Sequence, residues 1–352
     1  MLAVESKASA ASAVAMPSFD PGAPFDWKEI MDPVKPFLKT VGRHLEEQVN
    51  AFEPEIAEYA LYALANQGKQ LRSILVALSG RAAEQPSEEL VTVAVIIEMI
   101  HLATLVHDDI VDAAQMRRCR PTVAAHWGNE VSVLLGDCLF AQALKLATGS
   151  LSLENCRAVA AAAKAVCSGE ILQTLRRHHF QISREEYFKV LAMKTGELFA
   201  LSCDLGAALS GATGPQRTAL RQFGMALGTA YQVYDDCLDL FGSEAVVGKS
   251  LATDLAHGKL TLPALVALER ADPPDQDRLK EIVRDWNVKS LRVLLELLKR
   301  YDALNESRQV VHQFIQLARQ NLRELPDSRS RTALIGLTFF FAQQTDALGV
   351  VS

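Results

Sequence analysis

Two groups of three aspartates carry the chemistry of this sequence. In Glu98 to Thr122, EMIHLATLVHDDIVDAAQMRRCRPT, a nearly all-apolar run meets Asp108, Asp109 and Asp112, and Arg117 and Arg118 follow. On a helix Asp108 and Asp112 share one face, with Asp109 about 100° round. Carboxylates beside guanidiniums at the mouth of an apolar helix suit a site that binds metal through the acids and an anion through the bases. The D-D-x-x-D spacing returns in Tyr231 to Leu240, YQVYDDCLDL, as Asp235, Asp236 and Asp239. A lone acidic cluster is ordinarily a solvated helix face. Two clusters, each interrupting an apolar helix, need a wet cavity or a cation to avoid a heavy desolvation cost. One site shared between the two helices supplies both.

Magnesium takes oxygen ligands, keeps several waters and commonly completes its shell with substrate phosphates, so these acids can hold a small Mg²⁺ cluster against a diphosphate. Without metal they would repel such a ligand. A basic set lies elsewhere: Lys69 and Arg72 in GKQLRS, His101, Arg117, Arg118, Lys194 in MKTGE, Lys249, and Lys259 in GKLTLP. Each alone is an ordinary surface charge or, for His101, a core histidine. Neither Gly68-Lys69 nor Gly258-Lys259 matches a phosphate loop. No Ser/His/Asp or Cys/His constellation appears, which leaves no candidate nucleophile.

The elements that must position these residues are helices. Apolar residues recur at helical spacing from Asp26 to Asn50, with Pro33 and Pro36 marking a first turn or kink. Further helical runs are expected at 55–66, 71–82, 88–111 (Ser87 as cap), 130–146, 155–176, 184–209, 215–240, 260–269, 277–286, 291–301, 305–322 and 328–345. Alternation at period two is nowhere sustained, so no strand is expected. The pattern predicts an all-α bundle. The weakest point is ADPPDQD at 271–277, but the helices on either side are alike, so 26–352 reads as one domain with a C-terminal helical layer.

The length of 352 residues and 49% apolar content support a sizeable core, and a formal charge of −6 without a long basic run argues against nucleic acid as a partner. Six scattered cysteines without C-x-x-C spacing favour neither a zinc site nor a disulfide framework, and a reducing cytoplasm fits. Leu90 to Val106 is interrupted by Glu98 and His101 and reads as a buried helix rather than a membrane span. Residues 1–25, rich in Ala, Ser and Pro, read as a disordered leader.

Taken together, these motifs resemble those of the trans-polyprenyl diphosphate synthases, over roughly residues 28 to 345. GKQLRS resembles the family's G-G-K-x-x-R motif, the 98–122 stretch its first aspartate-rich motif with the following arginines, and YQVYDDCLDLFG with GKSLATDLAHGKLTLPAL its second. The resemblance implies the isoprenoid synthase fold, a helical bundle around a central cavity, acting as a prenyltransferase. It implies that Asp108, Asp109 and Asp112 face Asp235, Asp236 and Asp239, binding three Mg²⁺ ions and an allylic diphosphate with Arg117, Lys194 and Lys259. Lys69, Arg72, His101 and Arg118 would hold isopentenyl diphosphate, Thr195 and Gln232 would line the allylic side, and Lys249 is assigned to substrate as well. A homodimer is implied, with peripheral membrane contact for product release. The sequence departs from the family pattern at Gln67, Gln70, Ser73 and Cys119. Cys119 stands where a glycine is expected, and cysteine takes positive φ less cheaply.

Product length is argued from the first acidic helix. A tail running back from Asp108 first meets Thr104 and Ala103, both small, and then Ile100, Ile97 and Ile96. At ~1.5 Å per residue, Asp108 to Val91 spans about 25 Å, room for roughly five isoprene units. The expectation is a product longer than farnesyl, of about six to ten units. The alternatives are a farnesyl or geranylgeranyl synthase, a non-catalytic partner subunit, and a terpene cyclase, which the second all-aspartate motif disfavours.

Overall fold

The computed structural model describes residues 27–65, 68–82, 89–242 and 251–349. The expected leader, Gln67, the Ser87 cap and Lys249 lie outside them. The chain opens with α1 (Trp27–Met31) and α2 (Lys35–Val49), the break falling at Pro33. It continues through α3 (Pro54–Leu64), α4 (Leu71–Ala82) and α5 (Leu90–Val111). After α6 (Val123–Trp127) come the long α7 (Asn129–Ser150) and α8 (Leu153–Leu175). The stretch expected as one helix over 184–209 is α9 (Arg184–Leu191), a π-helical turn Ala192–Gly196, and α10 (Glu197–Leu209). Then follow α11 (Gly214–Phe241), α12 (Thr253–Ala256), α13 (Leu262–Arg270), α14 (Pro273–Arg284), α15 (Leu291–Arg300), α16 (Ala303–Asn321) and α17 (Arg329–Asp346).

Helix starts follow capping chemistry. The side chains of Ser152, Ser183, Thr213, Asp272 and Ser328 each accept a backbone N–H of the first turn, and Ser183/Glu186 and Thr213/Gln216 form reciprocal capping boxes. Asp272 with Pro273 explains 271–277: the break is a helix start. Leu279, Ile282 and Val283 beyond it share one apolar cluster with Phe223 and Leu227 of α11, so the core runs across it. The expectation of no strand needs one correction. Met116–Arg117 and Arg120–Pro121 form a two-residue antiparallel ladder, too short to leave a period-two signal. The turn residues Arg118 and Cys119 have φ of 50° and 61°, the geometry of a tight hairpin turn.

Two apolar clusters fill the bundle. One gathers parts of α4 and α10 with α11 and the C-terminal helices, and the other gathers α5, α7 and α8 with the remaining faces of α4 and α10. The helix α10 packs along both α5 and α11 and therefore sets the separation of the two acidic helices. Both α5 and α7 are long and apolar enough to cross a membrane by length and composition. In α5 Ile96, Ile97, Met99 and Ile100 are fully enclosed by protein, which explains its hydropathy as that of a core helix. In α7 Val133, Leu134 and Leu144 remain exposed.

Candidate active site

The first acidic group lies on the last turn of α5 and at its C-cap, Asp112. Asp109 is buried, and Arg117 from the hairpin clamps it: Nε donates to both carboxylate oxygens at 2.9 and 3.2 Å, and Nη2 lies 2.8 Å from Oδ1. Asp112 Oδ2 accepts from Lys259 Nζ at 2.7 Å and Oδ1 from Arg177 Nη2 at 2.8 Å. Burial would raise its pKa, but Lys259, Lys194 and His257 bring it below the usual carboxylate range. Asp108 has weaker compensation, with Lys194 Nζ 3.9 Å away. Burial pushes its pKa up to about 6, opposed by Lys194 and reinforced by Glu170 and Asp112.

Lys194 is presented by the π-helical turn, whose extra residue per turn re-aims the side chain, a device frequent at functional sites. It pairs with Glu170 and donates to Gln173 Oε1 at 3.0 Å, both from α8. The approach is close because Gly169 of α8 carries no side chain: a Cβ there would lie 2.9 Å from the Lys194 backbone nitrogen. Although burial opposes its charge, Asp108 and Glu170 raise the Lys194 pKa, and the ammonium stays charged.

The second acidic group is on the last two turns of α11. Asp235 is exposed, whereas Asp236 and Asp239 are buried. Asp236 Oδ2 accepts from the Tyr187 hydroxyl at 2.6 Å, and Oδ1 from Gln232 Nε2 at 2.9 Å. Gln232 in turn accepts from Thr195 at 2.6 Å, so two residues expected on the allylic side form a chain ending on this carboxylate. Burial pushes the Asp236 pKa up to about 8, Asp254 adding to the rise and Tyr187 and Gln232 opposing it. Asp239 faces α12: its oxygens accept from Thr253 Oγ1 at 2.7 Å and from the Asp254 N–H at 3.1 Å.

Part of the basic set gathers around His101. Burial and the nearby Arg72, Arg117 and Arg118 push the His101 pKa well below its ordinary value, which keeps the imidazole neutral. The Arg72 guanidinium lies 5.2 Å from the Phe199 ring centroid, and its buried Nε has no hydrogen-bond partner among the described residues. Lys69 stands 5.0 Å from the ring of Phe340 and 5.7 Å from that of Trp27, so the first and last helices steady it. Gly68 is a contact glycine: a Cβ there would fall 2.3 Å from Arg118 Nη2. Ser73, where the family pattern has proline, donates its N–H and hydroxyl to the buried Glu98 at 3.1 and 2.8 Å, and a proline could not supply that N–H.

Among the described residues no three acidic, cysteine or histidine side chains converge closely enough to hold one ion between them. Most of these acids are turned onto Arg117, Lys259, Arg177, Tyr187 or the start of α12. The donor set nonetheless fits magnesium, which needs few protein ligands when phosphates and water complete the shell. Asp108, half-buried, and Asp236, buried, are both raised in pKa by desolvation, and they are the groups a cation would relieve most.

Thr104, Leu105 and His101 share the partly open stripe of α5 with Asp108, whereas Ala103 and Ile100 are fully buried in the second apolar cluster. Leu105 was not singled out in the sequence. Nor were Glu170, Gln173, Tyr187, Arg177 and Asp254. Glu170 and Gln173 left a signal, a polar pair at i,i+3 on a helix. Tyr187 and Asp254 left none, because their roles come from residues far away in sequence.

The sequence model of the polyprenyl synthetase family matches residues 53–298. Heptaprenyl diphosphate synthase component 2 of Bacillus subtilis is 34% identical over 307 residues, covering 87% of this chain and 88% of the relative. Octaprenyl diphosphate synthase of Escherichia coli is 33% identical over 299 residues, covering 85% and 93%. Among solved structures, a polyprenyl synthase from Caulobacter crescentus complexed with calcium and isoprenyl diphosphate superimposes with a TM-score of 0.87 at 30% identity, covering 92% of this chain and 99% of that one. The chain belongs to the polyprenyl synthetase family, has the isoprenoid synthase fold and is thereby a prenyltransferase.

Proposed function

We propose that the chain is a Mg²⁺-dependent, chain-elongating synthase that condenses isopentenyl diphosphate with an allylic diphosphate to a trans-polyprenyl diphosphate of about six to ten units. The observation that carries this reading is the end of α5, where Asp108 and Asp112 open beside Lys194, Lys259 and Arg117 while the small Thr104 follows down the same stripe. The two relatives named for seven- and eight-unit products support the length.

In this reading Asp108, Asp109, Asp112, Asp235, Asp236 and Asp239 hold up to three Mg²⁺ ions with the allylic diphosphate. Bound metal neutralises charge on the leaving group. Arg117, Lys194 and Lys259 bind the same diphosphate and stabilise it as the C–O bond breaks. Lys69, Arg72 and Arg118 bind the diphosphate of isopentenyl diphosphate, and the neutral His101 donates a hydrogen bond to it without adding charge. The double bond so placed attacks the allylic cation. Thr195 and Gln232 orient Asp236 and line the allylic side, Lys249 serves substrate binding, and the released diphosphate takes the proton that is lost.

We place the protein in the cytoplasm, in keeping with six free cysteines, and read it as a homodimer whose second copy covers Val133, Leu134 and Leu144 of α7. Peripheral membrane contact would receive the product. The test is the purified chain alone with labelled isopentenyl diphosphate and farnesyl diphosphate, with and without Mg²⁺. Metal-dependent products of thirty carbons or more are expected. Fifteen-carbon product alone would refute the length, and no turnover without an added subunit would favour a partner role, as the word "component" in the Bacillus subtilis relative's name allows.

A further inference from the structure

Asp112 is engaged by two cations, one on each oxygen: Lys259 Nζ on Oδ2 at 2.7 Å and Arg177 Nη2 on Oδ1 at 2.8 Å. Each oxygen keeps a second lone pair, but two cations already neutralise the carboxylate and repel a metal, so Asp112 becomes a good ligand when one of them moves away. The two differ in freedom. The Lys259 side chain is 4% exposed, while that of Arg177 is 22% exposed.

Arg177 also has spare hydrogen-bonding capacity. Its Nη2 divides between Asp112 and the carbonyl of Val111 at 3.2 Å, and its Nε is buried with no hydrogen-bond partner among the described residues. A guanidinium binds a phosphate best through two parallel N–H groups, and this one uses a single nitrogen. Its backbone is placed firmly. Arg177 follows the last turn of α8, and the next residue, His178, with φ 60°, donates its N–H to the Gly258 carbonyl at 2.8 Å. That bond fastens the end of α8 to the loop carrying Lys259, so both cations on Asp112 come from one joined pair of segments.

We propose that Arg177 is a diphosphate-binding residue of the allylic side, held on Asp112 until metal and diphosphate arrive together. In the free protein it competes with metal for Asp112. When the metal–diphosphate pair enters, the carboxylate turns to the metal and the guanidinium to the phosphate. The consequence is ordered loading: metal alone binds poorly, and metal with diphosphate binds well. This rests on the reading of the site as a metal–diphosphate site.

The experiment is calorimetric titration of the full chain with Mg²⁺ alone and with Mg²⁺ plus inorganic pyrophosphate, for wild type, Arg177→Gln and Arg177→Lys. Arg177→Gln is expected to bind Mg²⁺ alone about tenfold more tightly and Mg²⁺-pyrophosphate about tenfold more weakly, the scale of one charge-assisted hydrogen bond. Arg177→Lys, keeping the charge but losing the fork, should fall between. A lower melting temperature with both titrations unchanged would make Arg177 a staple between α8 and α5 and overturn the proposal. Failure of the wild type itself to bind Mg²⁺-pyrophosphate would instead overturn the reading of the site on which it rests.

Discussion

The Tyr187 hydroxyl donates a 2.6 Å hydrogen bond to Asp236, joining α9 to the second acidic group across 49 positions of sequence. Asp236 is nevertheless pushed up to about 8, because burial and Asp254 outweigh this bond and that from Gln232. The folded state therefore binds a proton here that the unfolded chain releases near the ordinary carboxylate pKa of about 4. Stability from this group is full below that value and is lost as pH rises through about 8. His101, depressed, contributes its stability above its ordinary pKa and does not titrate in the alkaline part of this range. Metal-free protein should thus lose thermal stability as pH rises toward about 8 and level off above it, and over about pH 7–9 Mg²⁺ should restore more at the upper end, since the metal must displace a proton at the lower. Thermal melts in chelator and in Mg²⁺ across that range check it, and a pH-independent gain would contradict it.

Asp108 and Asp239 occupy first and last places in the two motifs but should respond differently to truncation. The Asp108 carboxylate has Lys194 at 3.9 Å and, among the described residues, no side-chain hydrogen bond to the fold. Asp239 accepts from Thr253 and from the Asp254 N–H and so anchors the start of α12. Asp108→Ala is expected to lower turnover by about three orders of magnitude or more with near-normal stability. Asp239→Ala should also cost about 1–3 kcal/mol of folding free energy by leaving donors unpaired. Denaturant unfolding measured beside initial rates separates the two.

Thr104 offers a cleaner length gauge than Ala103. Thr104 is partly open and shares its stripe with Asp108, and its hydroxyl is held by the His101 carbonyl at 2.7 Å. Ala103 is fully buried, and a phenylalanine there would overpack the cluster at a cost of about 1–3 kcal/mol. Thr104→Phe should therefore shorten the product with the fold intact, while Ala103→Phe should also lower the melting temperature. Chromatography of dephosphorylated products gives the readout, and unchanged lengths in Thr104→Phe would remove this stripe as the tail path.

Leu134 is 64% exposed in the second turn of the apolar helix α7. If a second copy covers it, Leu134→Glu should convert the protein from dimer to monomer in light scattering, since a buried unpaired carboxylate is costly. A wild type already monomeric would point instead to a different subunit on this face.

Cys119 adopts φ 61° at the second turn position of the hairpin that carries Arg117. Glycine takes that conformation without steric cost, so Cys119→Gly should raise stability by about 0.5–1 kcal/mol and leave activity unchanged. A fall in melting temperature would show that the thiol packs usefully there.

The sequence by itself determined the class of structure and the charges of the site. Long runs at helical period, punctuated by Gly, Pro and capping residues, called for a helical bundle, missing only the two-residue ladder after α5, and two D-D-x-x-D groups inside such runs demanded a polar cavity. These are local properties: spacing along one helix decides which side chains share its face. The resemblance also flagged the turn after Arg117, because cysteine stands where the family pattern has glycine, and it takes positive φ there. Only the tertiary structure decided what each charge faces. Asp109 turns to Arg117, Asp112 to Lys259 and Arg177, Asp236 to Tyr187, and Asp239 to α12. Arg117, eight positions from Asp109, lay within reach along the chain, but Lys259, Arg177 and Tyr187 come from elements distant in sequence that only packing brings near. The burial that lifts Asp108 and Asp236 has the same origin: desolvation depends on what surrounds a carboxylate, and its neighbours in sequence supply only part of that.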